Sequence, residues 1–270
     1  MNIEEITNLL SRGKFKSAEE IKNLISSLKD VYVVPSLIMA QGTLLYRARV
    51  IDNINEIHTI SDLSYTPTHY NKSYKRASTP SNTMFYGVSG DVHSDIIYGC
   101  LSEVCECFRV PMPSHKNYKV VIGIWETTRD FVLPQIINPD GNNKSEAFSN
   151  VPEYLSCVGM LDEKGKQIAD FQRLINYEFT KRADTEQDYW ISAIFTEWII
   201  SLKDTYDGVI YESVQSRDAK LSNNHCVALK PQVVDDSLQF KEALFYEFDF
   251  TGINTIVPKP TIVNIPPASH

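Results

Sequence analysis

The sequence lacks any run of about 18 apolar residues, the length a helix needs to cross a bilayer, so no membrane span is expected. It also lacks a surplus of positive charge: 26 Lys and Arg stand against 34 Asp and Glu, for a net charge of −8. Binding along a nucleic-acid backbone needs a basic face, so direct nucleic-acid binding is not expected; a local basic pocket remains compatible with this balance. Cysteine is scarce and odd in number, with five in 270 residues. Three of them, Cys100, Cys105 and Cys107, crowd one segment, which fits reduced thiols better than a disulfide framework. The Cys105-Glu106-Cys107 spacing matches no common zinc site, and no metal is expected. Walker A, HExxH and GxSxG patterns are absent, and Gly87-Val88-Ser89-Gly90 lacks the third glycine of a dinucleotide fingerprint. The N-terminal Met1-Asn2-Ile3-Glu4-Glu5 has no cationic region leading into an apolar one. No signal peptide is expected, and the cytoplasm is the expected compartment.

What is present is the composition of an ordinary globular chain, 43% hydrophobic and 22% charged, long enough for one large or two small domains. Ile3, Ile6, Leu9 and Leu10 share one side of a helix over residues 2–12, stopped by Gly13. Ser17-Ala18-Glu19-Glu20 reads as a capping box for a second amphipathic helix reaching about residue 29. This pair, residues 1–34, is expected to be an appendage packed on the main body. Short β-branched or alternating runs predict strands at 31–34, 43–50, 83–88, 118–126, 130–133, 206–214, 226–230 and 241–250. Helical spacing predicts helices at 164–181 and 188–202; residues 92–108 mix helix and strand signals, with Asp91 or Ser94 placed to cap a helix carrying Ile97, Leu101, Val104 and Phe108. Residues 52–74 read as a long irregular connection, which is often functional. The proline-rich tail, residues 251–270, reads as a flexible end.

One strand carries an anomaly. In Leu44-Leu45-Tyr46-Arg47-Ala48-Arg49, alternation turns Arg47 and Arg49 to one face and Tyr46 and Ala48 to the other. Two guanidinium groups on one face need acceptors, either carboxylates of the fold or phosphates of a ligand. Later segments bring further polar residues at the edges of elements: Arg76 and Ser78, Tyr86, Glu103 and Ser213.

In order and character these pieces resemble the RES-domain family, named for its arginine, glutamate and serine. The matching segments are Leu45-Tyr46-Arg47-Ala48-Arg49, then Arg76-Ala77-Ser78 with Pro80, then Met84-Phe85-Tyr86-Gly87 and Leu101-Ser102-Glu103-Val104. Asp207-Gly208-Val209-Ile210-Tyr211-Glu212-Ser213-Val214-Gln215 and Asn224 with Val227-Ala228-Leu229-Lys230-Pro231 complete the set. The resemblance covers roughly residues 44–235. The sequence departs from the pattern at Lys75 and Ser81, where glycine is common.

The resemblance implies an α+β fold similar to ADP-ribosyltransferases, a split, mixed β-sheet core surrounded by helices, with the N-terminal helix pair outside it. The RES-like catalytic domain would span residues 35–250, with an insertion at about 127–187 that covers the cleft, forms a homodimer contact or binds a target. The implied activity is that of a toxin of a toxin–antitoxin pair, cleaving the nicotinamide–ribose bond of NAD with phosphate or water as acceptor. Protein ADP-ribosylation is the alternative, and a catalytically silent binding protein the second. NAD is the implied substrate and a helix-turn-helix antitoxin the implied partner.

Carried over by position, Glu103, Arg47 and Ser213 are the catalytic candidates, and Arg47, Arg76, Tyr86 and Ser213 the NAD-binding ones. The residue chemistry agrees. Guanidinium groups suit a pyrophosphate. A carboxylate suits the positive charge that develops on the sugar as nicotinamide leaves, as in glycoside hydrolysis. Glu106 competes with Glu103 for that role.

Overall fold

The computed structural model describes residues 1–28, 34–90, 93–105, 116–141, 145–213, 224–250 and 259–267. Glu106, Cys107, Phe108, Asp91, the run 31–33, and Val214 and Gln215 lie outside the described residues.

Nine strands form one mixed sheet. They are β1 (Ser36–Met39), β2 (Leu44–Ile51), β3 (Phe85–Gly90), β4 (Lys116–Thr127), β5 (Phe131–Ile136), β6 (Gly208–Glu212), β7 (Asn224–Leu229), β8 (Leu238–Phe250) and β9 (Thr261–Val263), in the order β1-β5-β6-β7-β3-β2-β4-β8-β9. Among the described residues only β5 and β6 run parallel. The sheet is split. β2 pairs with β4 over its whole length, from Leu44↔Glu126 to Ile51↔Lys119, but meets β3 at a single position, Tyr46↔Val88. From Arg47 onward β2 has no ladder partner on its β3 side among the described residues, so a gap opens between two blocks of sheet.

Alternation along the strands feeds two apolar layers. Tyr46, Val120, Ile122, Val209, Tyr211 and Ala228 face one; Leu45, Val121, Ile210, Val227 and Leu229 face the other. The first layer is closed by α1 (Ile3–Ser11), α2 (Ala18–Ser26), α3 (His93–Val104), α5 (Asp162–Thr180) and α6 (Trp190–Ser201). The second is closed by α4 (Val151–Gly159), α7 (Pro231–Ser237) and 3-10 turns of the 52–74 connection.

The N-terminal helices form where expected, but they are part of the core rather than an ornament on it. Ile6, Leu10, Ile21 and Ile25 are at most 1% exposed and belong to the same cluster as Tyr46 and Leu101. Each such side chain contributes about 2 kcal/mol of burial. Asn2 and Glu5 cap α1 reciprocally, and Gly13, at φ +62°, ends that run in a conformation that favours glycine. The capping box read at Ser17 is not formed: Ser17 makes no side-chain cap, and Glu20 accepts instead from the Lys16 amide.

Three other readings change. The 127–187 segment read as an insertion supplies β5, an interior strand between β1 and β6, and α5, whose Phe171, Ile175 and Phe179 are core. The tail read as flexible pairs Thr261–Val263 with the outer edge of β8, and Pro266 O accepts from the Ile60 amide at 3.1 Å. Pro231, read as the end of a strand, opens α7, because its fixed φ and missing N–H cost nothing at the first helical position.

Two interior features fix the start of β6. A side chain at Gly208 would place its Cβ 2.0 Å from Ala228 O, so only glycine permits this approach of β6 to β7. Asp207, just before it, receives Arg129 through two bonds, Nη1 to Oδ2 at 3.0 Å and Nη2 to Oδ1 at 2.6 Å, and the Val132 amide at 2.8 Å.

Candidate active site

The split in the sheet leaves a cavity of about 420 Å³. β2 supplies Arg47 on one side, and β3 supplies Tyr86 on the other. The turn at 75–78 adds Lys75 and Arg76, and α3 adds Glu103 and Cys100. Tyr211 and Cys226 from β6 and β7, and Tyr189 ahead of α6, complete the apolar part of the wall. The Cys100 thiol donates to Tyr46 O at 3.4 Å, which seats α3 beside the split.

Arg47 is held by the fold without a carboxylate. Its Nη1 donates to Tyr86 O at 2.9 Å, and its Cζ lies 5.4 Å from the centre of the Phe85 ring. Burial pulls the Arg47 pKa down to about 10; Arg49 adds to the shift and Tyr86 opposes it. Arg49 itself turns away and donates to Asp62 O at 2.8 Å.

The acidic side is built differently. The Ser213 hydroxyl donates to Glu103 Oε1 at 2.7 Å, and the Cys226 thiol lies 3.5 Å from the same oxygen. Glu103 Oε2 has no hydrogen bond among the described residues. Burial, reinforced by Glu103, pushes the Cys226 and Cys100 thiols well up, so both stay protonated and Cys226 acts as a donor.

Arg47, Arg76, Tyr86 and Glu103, expected from sequence, all line this one cavity. Ser213 stands behind it. It is 2% exposed and reaches the cavity through Glu103, so it positions the carboxylate, where the sequence reading gave it contact with the substrate. Arg76 is committed elsewhere: Nη1 donates to Phe179 O, both terminal nitrogens lie 3.4 Å from Lys181 O, and its Cζ sits 5.5 Å from the Tyr189 ring centre. It caps the C-terminal end of α5. The Tyr86 hydroxyl is likewise occupied, accepting from the Ala77 amide at 2.9 Å and sharing a 2.8 Å bond with Ser78 Oγ. Burial pushes its pKa up to about 12. Its ring forms wall, while its oxygen fixes the turn that carries Lys75 and Arg76.

Sequence reasoning did not select Lys75, Cys100, Tyr189, Tyr211 or Cys226 as site residues. Two had a usable signal: Lys75 directly precedes Arg76, and Tyr211 lies two positions before Ser213 in the same strand. Cys226 and Tyr189 become neighbours of the site only through the β6–β7 ladder and the packing of α6.

A second cavity, about 450 Å³, lies between α1 and the α5–α6 junction, lined by Leu10, Tyr177, Glu178, Lys181 and Trp190 among others. Its lysine is satisfied internally, Lys181 Nζ lying 2.7 Å from Glu178 Oε2. The cavity at the split instead brings together a held carboxylate and cations, Arg47 and Lys75, that have no ion pair among the described residues, and is the better candidate for chemistry. Among the described residues no group of three His, Cys, Asp or Glu side chains is placed to hold a metal ion, and no helix is long and apolar enough to cross a membrane.

No protein-family model matches the chain, and a search of curated proteins finds no match.

Proposed function

We propose that the protein cleaves the nicotinamide–ribose bond of NAD, with inorganic phosphate or water as acceptor. One observation carries the reading: chain segments up to about 180 residues apart meet at the split in the sheet, where Arg47, Lys75 and Glu103 line one cavity. The RES-like order of those segments supports it. The cations suit the pyrophosphate of NAD, and the aromatic walls suit its rings. As the glycosidic C–N bond breaks, its electron pair passes to the pyridinium nitrogen and nicotinamide leaves neutral. Positive charge grows on the ribose, where the Glu103 carboxylate, oriented by Ser213 and Cys226, stabilises it. The acceptor oxygen then bonds to the anomeric carbon, and its proton passes to Glu103 or solvent. An activity of this kind fits a toxin restrained by a partner that covers the cavity.

The test is purified protein with NAD, with and without phosphate, reading nicotinamide release and product mass. Phosphate-dependent release yielding ADP-ribose-1″-phosphate is phosphorolysis; phosphate-independent release yielding ADP-ribose is hydrolysis. Absence of release in both conditions, with transfer of label from NAD to a protein in cell extract, would replace this reading with protein ADP-ribosylation.

A further inference from the structure

We infer that Lys75 and Arg47 together form a binding site for a diphosphate, with Lys75 supplying the second cation in place of Arg76. Arg76 has its guanidinium engaged by Phe179 O and Lys181 O, and one face lies toward Tyr189. Moving it to a ligand would uncap α5. Lys75 has no such engagement. Its backbone is pinned by two bonds with Ser78, at 2.9 and 3.2 Å, while its ammonium has neither ion pair nor side-chain hydrogen bond among the described residues. It is exposed yet contributes to the cavity wall, which places it at the rim.

The surrounding charges point to an anion. The carboxylate lining the cavity, Glu103, is already held through Oε1 by Ser213 and Cys226. Lys75 and Arg47 therefore face the same space as like charges. The Lys75 pKa is lowered by burial first and then by Arg47. Glu103 brings one negative charge to this space against the two cations Lys75 and Arg47, so a net positive charge remains, and a ligand dianion offsets it while gaining charge-assisted hydrogen bonds from both. In the cavity beside α5, by contrast, the lysine has a partner of its own: Lys181 Nζ lies 2.7 Å from Glu178 Oε2. That the anion is the diphosphate of a nucleotide rests on the NAD reading; that the two cations bind an anion does not.

The experiment is calorimetric titration of inorganic pyrophosphate into the wild-type chain, Lys75→Gln and Lys75→Arg at fixed ionic strength, with nicotinamide release from NAD measured in parallel. Lys75 is exposed, so neither substitution threatens folding. Wild type should bind pyrophosphate. Lys75→Gln should bind at least about tenfold more weakly, and Lys75→Arg within about threefold. Equal affinity in wild type and Lys75→Gln, or no binding to wild type, overturns the inference. Orthophosphate binding as tightly as pyrophosphate overturns its diphosphate part. If pyrophosphate binding depends on Lys75 while NAD stays intact, the anion site stands and the NAD reading falls. If NAD is cleaved but pyrophosphate affinity ignores Lys75, the reverse holds.

Discussion

Two arginines of this protein have opposite surroundings. Arg129, at the turn between β4 and β5, meets the buried Asp207 through two parallel bonds, reaches Ser237 Oγ at 3.1 Å, and sits 4.9 Å from the Phe131 ring centre. Its pKa is raised, first by the hydrogen bonds to Asp207. Arg47, at the split between β2 and β3, has a carbonyl and a ring but no carboxylate, and its pKa falls to about 10 through burial. The chain supplies a counter-charge where an arginine ties strands together and withholds one where an arginine faces a cavity. A fold gains nothing from burying an uncompensated cation. The second arrangement is therefore the mark of a site completed by something else. His225 is a third case: buried, with Nδ1 3.1 Å from Ser145 Oγ, it is kept neutral, and burial lowers its pKa to about 4.

The largest effect should come from the carboxylate that the cavity cations face. Glu103→Gln keeps the shape and removes the charge. It should cut NAD turnover by at least about a thousandfold while leaving the thermal midpoint within a few degrees. Turnover within tenfold of wild type would remove Glu103 from the chemistry. Arg129→Ala leaves Asp207 buried and unpaired, and should cost about 3 kcal/mol in urea denaturation without changing KM for NAD. A smaller loss of stability, under 1 kcal/mol, would mean that the bidentate pair is not structural.

For His225 the sign follows from linkage. The folded pKa lies below the unfolded value near 6.5, so below that pH the unfolded chain binds more protons than the folded one. Stability is then lost as pH falls from 6.5 toward 4, by about 3 kcal/mol at the lower end. Denaturation midpoints for wild type and His225→Gln should diverge in slope over that window, and parallel slopes would refute the assignment. The smallest effect on the fold belongs to Arg47→Met. Stability should be unchanged or higher, because a desolvated cation is gone, while KM for NAD rises about 10- to 100-fold. A loss comparable to that of Arg129→Ala would make the two arginines equivalent and end the comparison.

Much of this was legible in the sequence, for identifiable reasons. The Arg47 strand, α1, α5 and α6 follow from alternation or helical spacing with strong apolar faces, and the structure bears them out; the segment of α3 carried mixed helix and strand signals, and the structure makes it a helix. Arg47 stood out because it interrupts a strand pattern; Arg76, Tyr86 and Glu103 came from the resemblance of their segments to the RES pattern. What stayed hidden depends on contacts distant in sequence. Ser213 reads as a substrate ligand until the fold buries it just past the end of β6, with its hydroxyl on Glu103. Arg76 reads as a phosphate binder until α5, about 100 residues later, brings its last carbonyls to it. Residues 130–133 read as a strand, but one inside an insertion; its place in the sheet stayed hidden because its parallel partner, β6, lies some 70 residues on. β9 was missed because three residues give too little pattern; the exposed edge of β8 recruits them.

The most direct test of the central claim separates binding from chemistry. NAD is titrated calorimetrically into Glu103→Gln and into Glu103→Gln combined with Arg47→Met. The account predicts that the single variant binds NAD without consuming it, and that adding Arg47→Met weakens binding at least about tenfold. Failure of Glu103→Gln to bind NAD, or equal affinity in the two proteins, would contradict the assignment of this cavity as the NAD site.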